Sequence, residues 1–296
     1  MRDLVIGASG QVGGALLDFL NKSHLNKNGG NAVGTYYLHN PPHFPLRPLD
    51  ITSGGAVQSL LEELCPRHVY LPSSYTNVDG CEEDQERSYL VNVIGVKNVV
   101  AACRRIGSKL IYFSSDYVFD GKAGPYLETS PPSPISVYGR HKVEAEELVS
   151  SLSGSLILRT TVVYGREWQG KNFVVRLLKT LLDGKTMSVP DDQVGNPTFA
   201  PSLAEVAARL AERSDCSGVF NAVGKDRVSR YEFAREAAYV FGLDTELVLP
   251  VSTESLKQKA LRPLSGGLVM DKVEQLFPGI LVGYREGLKI LHRQLT

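Results

Sequence analysis

Tyr138 and Lys142 stand four residues apart in Val137-Tyr138-Gly139-Arg140-His141-Lys142, and of thirteen tyrosines this is the one with a lysine at that step. A helical run over 143–149 follows, so the spacing puts ammonium and phenol one turn apart on the same face. An ammonium there is expected to pull the phenol below its ordinary pKa of ~10, making it a proton donor and acceptor near neutral pH. Upstream, Phe113-Ser114-Ser115-Asp116 closes an apolar run. Parallel sheets present reactive groups at such carboxyl ends, and a serine hydroxyl there suits a substrate carbonyl beside the phenol. The chemistry these residues suggest is proton transfer to a carbonyl oxygen.

A second group of residues points to the other reactant. Gly7-Ala8-Ser9-Gly10-Gln11-Val12-Gly13 follows the first apolar run and opens a helical one. This GxxGxxG is a variant of the dinucleotide fingerprint: glycine permits the tight turn and a close pyrophosphate, and the helix amino terminus supplies N–H groups. Gly7, Ser9, Gly10, Gln11 and Val12 are the candidate cofactor contacts. An NAD site usually carries a carboxylate about 20 residues further on, yet no Asp or Glu lies between Asp18 and Asp50. Thr35-Tyr36-Tyr37-Leu38-His39-Asn40 and then Arg47 offer hydroxyl and cationic groups instead. NADP(H) is therefore favoured, with Tyr36 among its contacts, and NAD(H) stays possible. Asp50 and Ile51 join the candidate cofactor contacts, as do Tyr138 and Lys142, with Asp50 placed either at the adenine amino group or at a helix cap.

The elements that position these residues follow from periodicity. Short apolar runs at 4–7, 32–37, 68–71, 109–114, 156–161 and 219–222 alternate with helical patterns. Examples of the latter are Val12, Leu16, Phe19, Leu20; Val57, Leu60, Leu61, Leu64; and Val96, Val99, Val100, Cys103. Such alternation predicts an α/β class, a Rossmann-type doubly wound parallel sheet with a smaller carboxyl-terminal substrate-binding domain. Residues 1–168 read as the NADP-binding domain, to which the chain returns at about 200–224. The substrate domain is read at 169–296, mainly 169–199 and 225–296, with helical runs at 231–241, 252–259 and 270–277.

Composition narrows the classes. Apolar residues make up 43% and charged ones 22%, and 32 basic residues balance 32 acidic ones. The first two figures suit a folded chain, and the balance argues against a nucleic-acid partner. No apolar run reaches the ~18 residues of a membrane span, so no membrane partner is expected. Met1-Arg2-Asp3 running straight into Leu4-Val5-Ile6 is no secretory leader, and four cysteines without a CxxC pair read as reduced thiols. A cytoplasmic protein is the expectation. His39 and His43 are four apart, but Pro41-Pro42 between them excludes the helix that would pair the rings, so no metal site is expected.

With these residues in view, the chain resembles the dTDP-4-dehydrorhamnose reductase family of the extended short-chain dehydrogenases/reductases. The resemblance rests on Phe113-Ser114-Ser115-Asp116-Tyr117-Val118-Phe119-Asp120-Gly121, Pro125-Tyr126 and Val137-Tyr138-Gly139-Arg140-His141-Lys142. Arg159-Thr160, Val163-Tyr164-Gly165, Gly170-Lys171-Asn172-Phe173 and Arg230-Tyr231-Glu232-Phe233 add to it. Asp192-Gln193-Val194-Gly195-Asn196-Pro197-Thr198 is the most selective segment.

That resemblance implies NADPH-dependent reduction of the 4-keto group of a nucleotide-linked 6-deoxysugar, in a possible homodimer. It implies that Ser115 binds the carbonyl, Tyr138 gives the proton, and Lys142 holds the nicotinamide ribose and tunes the phenol. It places Ser73, Ser74, Tyr75 and Asn92 along the cofactor, although a helix-capping role for Asn92 is equally open. Thr76, Val78, Asp116, Asn172, Gln193, Thr198 and Arg262 fall to the substrate, with Arg262 directed either at the diphosphate or into a surface ion pair. Three departures stand out: Pro72-Ser73-Ser74 where the family commonly reads asparagine-alanine-alanine, Val162 in place of a tryptophan, and no match to an acidic metal cluster. Dehydratases of this fold need a second carboxyl group where Tyr117 stands, and epimerases usually carry the missing second-strand carboxylate. The alternative from another class is a non-catalytic NADP-binding subunit like the β subunit of methionine adenosyltransferase.

Overall fold

The structure is a computed structural model that describes residues 2–23, 32–41 and 45–296. His43 lies outside the described residues, and with it the His39–His43 pairing. Main-sheet strands and the longer helices are numbered here in chain order. The strands are β1 Leu4–Val5, β2 Val33–Tyr36, β3 Arg47–Pro48, β4 His68–Leu71, β5 Lys109–Ser115, β6 Leu156–Thr160 and β7 Gly218–Asn221. The helices are α1 Gln11–Lys22, α2 Gly54–Leu64, α3 Gly95–Ile106, α4 Val137–Ser150, α5 Phe173–Leu182, α6 Ala200–Ala211, α7 Arg230–Val240 and α8 Tyr284–Leu295.

The seven strands pair in the order β7-β6-β5-β4-β1-β2-β3, all parallel. Read from β3, this is 3-2-1-4-5-6 with one strand added, and the order reverses between β1 and β4. A crevice outside the carboxyl ends at that reversal is where doubly wound sheets take nucleotides. Alternate strand residues serve opposite faces. Val5, Tyr70, Ile111, Phe113 and Leu158 meet α1 and α6, whereas Leu4, Val69, Leu71, Leu110, Tyr112 and Ile157 meet α2, α3 and α4. The apolar spacing of α1 to α4 therefore does what periodicity predicts.

A third apolar cluster is built apart from the sheet by Val174, Leu177 and Leu181 of α5, Phe233, Ala234 and Ala237 of α7, and Tyr284, Leu288 and Leu291 of α8. Tyr164, Val189, Phe199 and Val248 complete it. Expectation and structure part in three places. The edge strand β3 was not foreseen; Pro45 and Pro48 mask it, and proline fits only at a sheet edge. Residues 252–259 form no helix beyond one turn at Glu254–Leu256. The Asp192 carboxylate takes both the backbone N–H and the hydroxyl of Thr253, which pins the chain there. The third is the set of helices α5, α6 and α8, which sequence reading missed. Among the described residues no helix is long and apolar enough to cross a membrane.

Candidate active site

The glycine loop sits at the reversal point. Gly7 has φ +94°, a left-handed backbone, and a Cβ there would press on Ser73 at 3.0 Å as the chain leaves β4. A Cβ on Gly13 would run into the Gly7 carbonyl oxygen and the Ala8 backbone, so glycine is what lets α1 lie against the loop. Gly10 is the N-cap of α1, and its side-chain-less position leaves the helix amino end open. This cradle fits a dinucleotide pyrophosphate: close backbone, exposed N–H groups and a helix dipole end.

Opposite the loop, Asn92 organises the exit of β4. Its Oδ1 accepts from Ser74 Oγ and from the Tyr75 N–H, both at 2.8 Å, and its Nδ2 donates to the Tyr75 carbonyl at 3.1 Å. The residue lies in a π-helical turn, Leu90–Ile94, of the kind that recurs at functional sites. Asn92 is thus a clamp on Ser74 and Tyr75 and not a helix cap.

Ser115 ends β5, and its hydroxyl donates to Asp116 Oδ1 at 3.1 Å. Tyr138 lies in the first turn of α4, which Ser136 caps. The Tyr138 ring meets Tyr117 edge-on at 5.5 Å between centroids and packs on Cys81, with Val78 alongside. Burial pushes the Tyr138 phenol well above its ordinary range, neighbouring Tyr117, Cys81 and Asp116 add to this, and its hydrogen-bonding contact with Ser115 opposes it. The expected lowering by Lys142 is absent. Lys142 Nζ turns toward β5, donating to Tyr112 Oη at 3.1 Å and to the Phe113 carbonyl at 2.9 Å. Burial brings Lys142 down to about 7. Asp116 is also raised by burial, against hydrogen bonds from Thr161 and Ser115.

Asp116 opens this cluster onto a cleft that it lines with Tyr117, Thr161, Val162, Gln193 and Arg230, among others. Val162 holds φ +44° there, a strained conformation for a β-branched residue of the kind that clusters at binding sites. Sequence reading did not single out Arg230 as a site residue. Its signal was a cation at N1 of α7, where a helix amino terminus prefers anions.

Several expected ligands are otherwise engaged. Thr198 is fully buried, donating to the Asn196 carbonyl and accepting from the Gly224 N–H. Asn172 caps α5 through the Val175 N–H, and its amide donates to the Gly165 carbonyl. Arg262 is held by Asp79 at 2.9 Å and by the Ala260 carbonyl. Asp50 accepts from the Thr52 N–H and hydroxyl, while Ile51 is buried in the core. Arg47 forms a two-pronged pair with Glu63, at 2.7 and 2.8 Å, and so is withdrawn from the loop after β2. Tyr36 closes β2 half-buried, and Thr76 is exposed near Tyr75. Polar side chains announce a partner but not which one, and these found theirs within the fold.

A glycine cradle at the switch point, with serine, tyrosine and lysine beyond the next strands, defines a dinucleotide-dependent enzyme of the extended short-chain dehydrogenase/reductase type. A family model for the RmlD substrate binding domain matches residues 1–296. A dTDP-4-dehydrorhamnose reductase from Aggregatibacter actinomycetemcomitans is 33% identical over 288 residues, covering 93% of each chain. A crystal structure of the reductase of that name from Bacillus anthracis, in complex with NADP, superposes with a TM-score of 0.84 at 29% identity over 99% of both chains. Methionine adenosyltransferase 2 subunit beta from Xenopus tropicalis is 28% identical over 295 residues, 97% of this chain and 86% of that one. The chain belongs to the dTDP-4-dehydrorhamnose reductase family.

Proposed function

We propose that the chain reduces the 4-keto group of a nucleotide-linked 6-deoxysugar with NADPH. The observation that carries this reading is the meeting of Ser115 and Tyr138 with Asp116, which lines the cleft, and with Lys142 one turn behind the phenol. When bound, the nicotinamide supplies the hydride. As charge grows on the carbonyl oxygen, Tyr138 gives its proton and the Ser115 hydroxyl donates a hydrogen bond. A phenol pushed up by burial stays protonated across neutral pH, which suits reduction. Gly7, Ser9, Gly10, Gln11 and Val12 would hold the pyrophosphate, with Ser73, Ser74 and Tyr75, kept in place by Asn92, beside them. Asp116, Gln193 and Arg230 would face the sugar nucleotide.

The cofactor part is assigned to residues 1–168 with the return at about 200–224, and the substrate part mainly to 169–199 and 225–296. The third apolar cluster, drawn from 162–199 and 228–291, supports that division. Four free cysteines fit a reducing cytoplasm. A homodimer is the assembly we assign, checked by size exclusion with light scattering. The decisive experiment is NADPH oxidation by purified protein with dTDP-4-dehydrorhamnose. The likeness to a methionine adenosyltransferase β subunit supports a second, weaker reading: stoichiometric binding to a partner enzyme with no turnover of any keto-sugar nucleotide would favour it.

A further inference from the structure

Residues 165–172, between the short strand Val163–Tyr164 and α5, cross back over the glycine loop. Gln169 Nε2 donates to the Ser9 carbonyl at 3.1 Å, and Gln11 Nε2 donates to the Gly165 carbonyl at 3.2 Å. Glu167 ties the segment internally, accepting from the backbone N–H groups of Lys171 and Asn172. The strap thereby carries Lys171 to the end of β2. There its Nζ lies 3.4 Å from His39 Nε2, three residues beyond Tyr36.

Both side chains are exposed, and neither has a carboxylate at ion-pair distance among the described residues. The end of the second strand is where this fold meets the 2′ position of the adenosine ribose. Arg47, the cation that sequence suggested for that position, is spent on Glu63. A cation and an imidazole brought together with no anion between them suit a dianionic phosphate. We propose that Lys171 and His39 form the clamp for the 2′-phosphate of NADP(H), so that cofactor choice is read by a strap from the substrate side of the cleft. This rests on the reading of the chain as an NADPH-dependent enzyme.

The test uses non-reacting fragments. Adenosine 2′,5′-bisphosphate and 5′-AMP are titrated calorimetrically into wild type, Lys171→Met, Lys171→Arg, His39→Phe and Arg47→Met, and NADPH binding is followed by energy transfer from Trp168, the single tryptophan. Wild type should bind the bisphosphate at least tenfold tighter than AMP. Lys171→Met should reduce that preference to threefold or less without changing AMP affinity, Lys171→Arg should keep it, His39→Phe should weaken it, and Arg47→Met should leave it alone. A Lys171→Met protein with the wild-type preference, or an Arg47→Met protein without it, overturns the clamp while NADPH binding by wild type upholds the broader reading. Wild-type protein that binds neither NADPH nor either fragment overturns both.

Discussion

At the scale of the residue, the reaction depends on a proton and a hydrogen bond already in place when hydride reaches the carbonyl. Tyr138→Phe keeps the packing on Cys81 and Tyr117 and removes the proton. It should lower kcat by about 10²–10⁴ with a 4-keto sugar nucleotide, while NADPH affinity measured by titration stays near wild type. Lys142 gives a prediction with a sign. Its folded value of about 7 lies below the ordinary lysine value of 10.5. Between those limits the unfolded chain holds a proton that the folded chain has lost, so stability rises with pH through this window. The raised Tyr138 phenol opposes that only above its ordinary value near 10. From pH 7 to 9, wild-type unfolding free energy should therefore climb relative to Lys142→Met, by up to about 1.4 kcal/mol per pH unit. Urea titrations of the cofactor-free proteins check it, and parallel pH profiles would refute it. The Tyr138–Lys142 pair was legible because one helix sets its spacing. What the ammonium touches was not, because Tyr112 and the Phe113 carbonyl arrive from another strand. The partners of Asn172 and Thr198 within the fold were not legible for the same reason, being a helix end and a buried loop.

At the scale of the element, the glycine loop works because α1 lies in contact with it. Gly13→Ala puts a methyl into the Gly7 carbonyl and the Ala8 backbone, so α1 has to move outward. Overpacking of that kind costs about 1–3 kcal/mol. Urea unfolding should register that loss, and calorimetric titration should find NADPH binding at least tenfold weaker, about 1.4 kcal/mol. Unchanged affinity would mean that the cradle is not the pyrophosphate site. The helices α1 to α3 and most strands could be read from periodicity, because each lays one apolar face on the sheet. The helix α8 carries Tyr284, Leu288 and Leu291 at helical spacing too, yet Gly283 and Gly287 interrupt the pattern. Gly287 is explained only by the fold: a Cβ there would strike the Tyr164 hydroxyl, which donates to the Tyr284 carbonyl. The turn at Glu254–Leu256 fell short of a helix through one distant carboxylate, Asp192, which no local pattern reveals.

At the scale of the whole molecule, the two bodies of core are interleaved by the chain. After α5 the chain returns to the sheet through α6 and β7, then leaves again for α7. Val273 and Leu281 still pack in the sheet-side cluster, only a few residues before Tyr284, Leu288 and Leu291 enter the third one. Arg262 with Asp79, and Lys259 with Glu83, fasten the 259–262 segment to the short helix Val78–Glu83 beside the site. Neither body can open without dragging segments out of the other, so unfolding should be one cooperative transition. A ligand that binds only the folded chain adds RT ln(1 + [L]/Kd), about 2.7 kcal/mol at a hundredfold excess over Kd. NADPH at that excess should then stabilise amides of α7, in the third cluster, as much as those of β5 in the main sheet. Hydrogen exchange across a urea series checks this: both segments should lose protection at one urea concentration, and NADPH should shift both equally. Protection of β5 that rises while α7 stays unchanged would show the bodies unfolding separately, and the substrate side would then be an independent module.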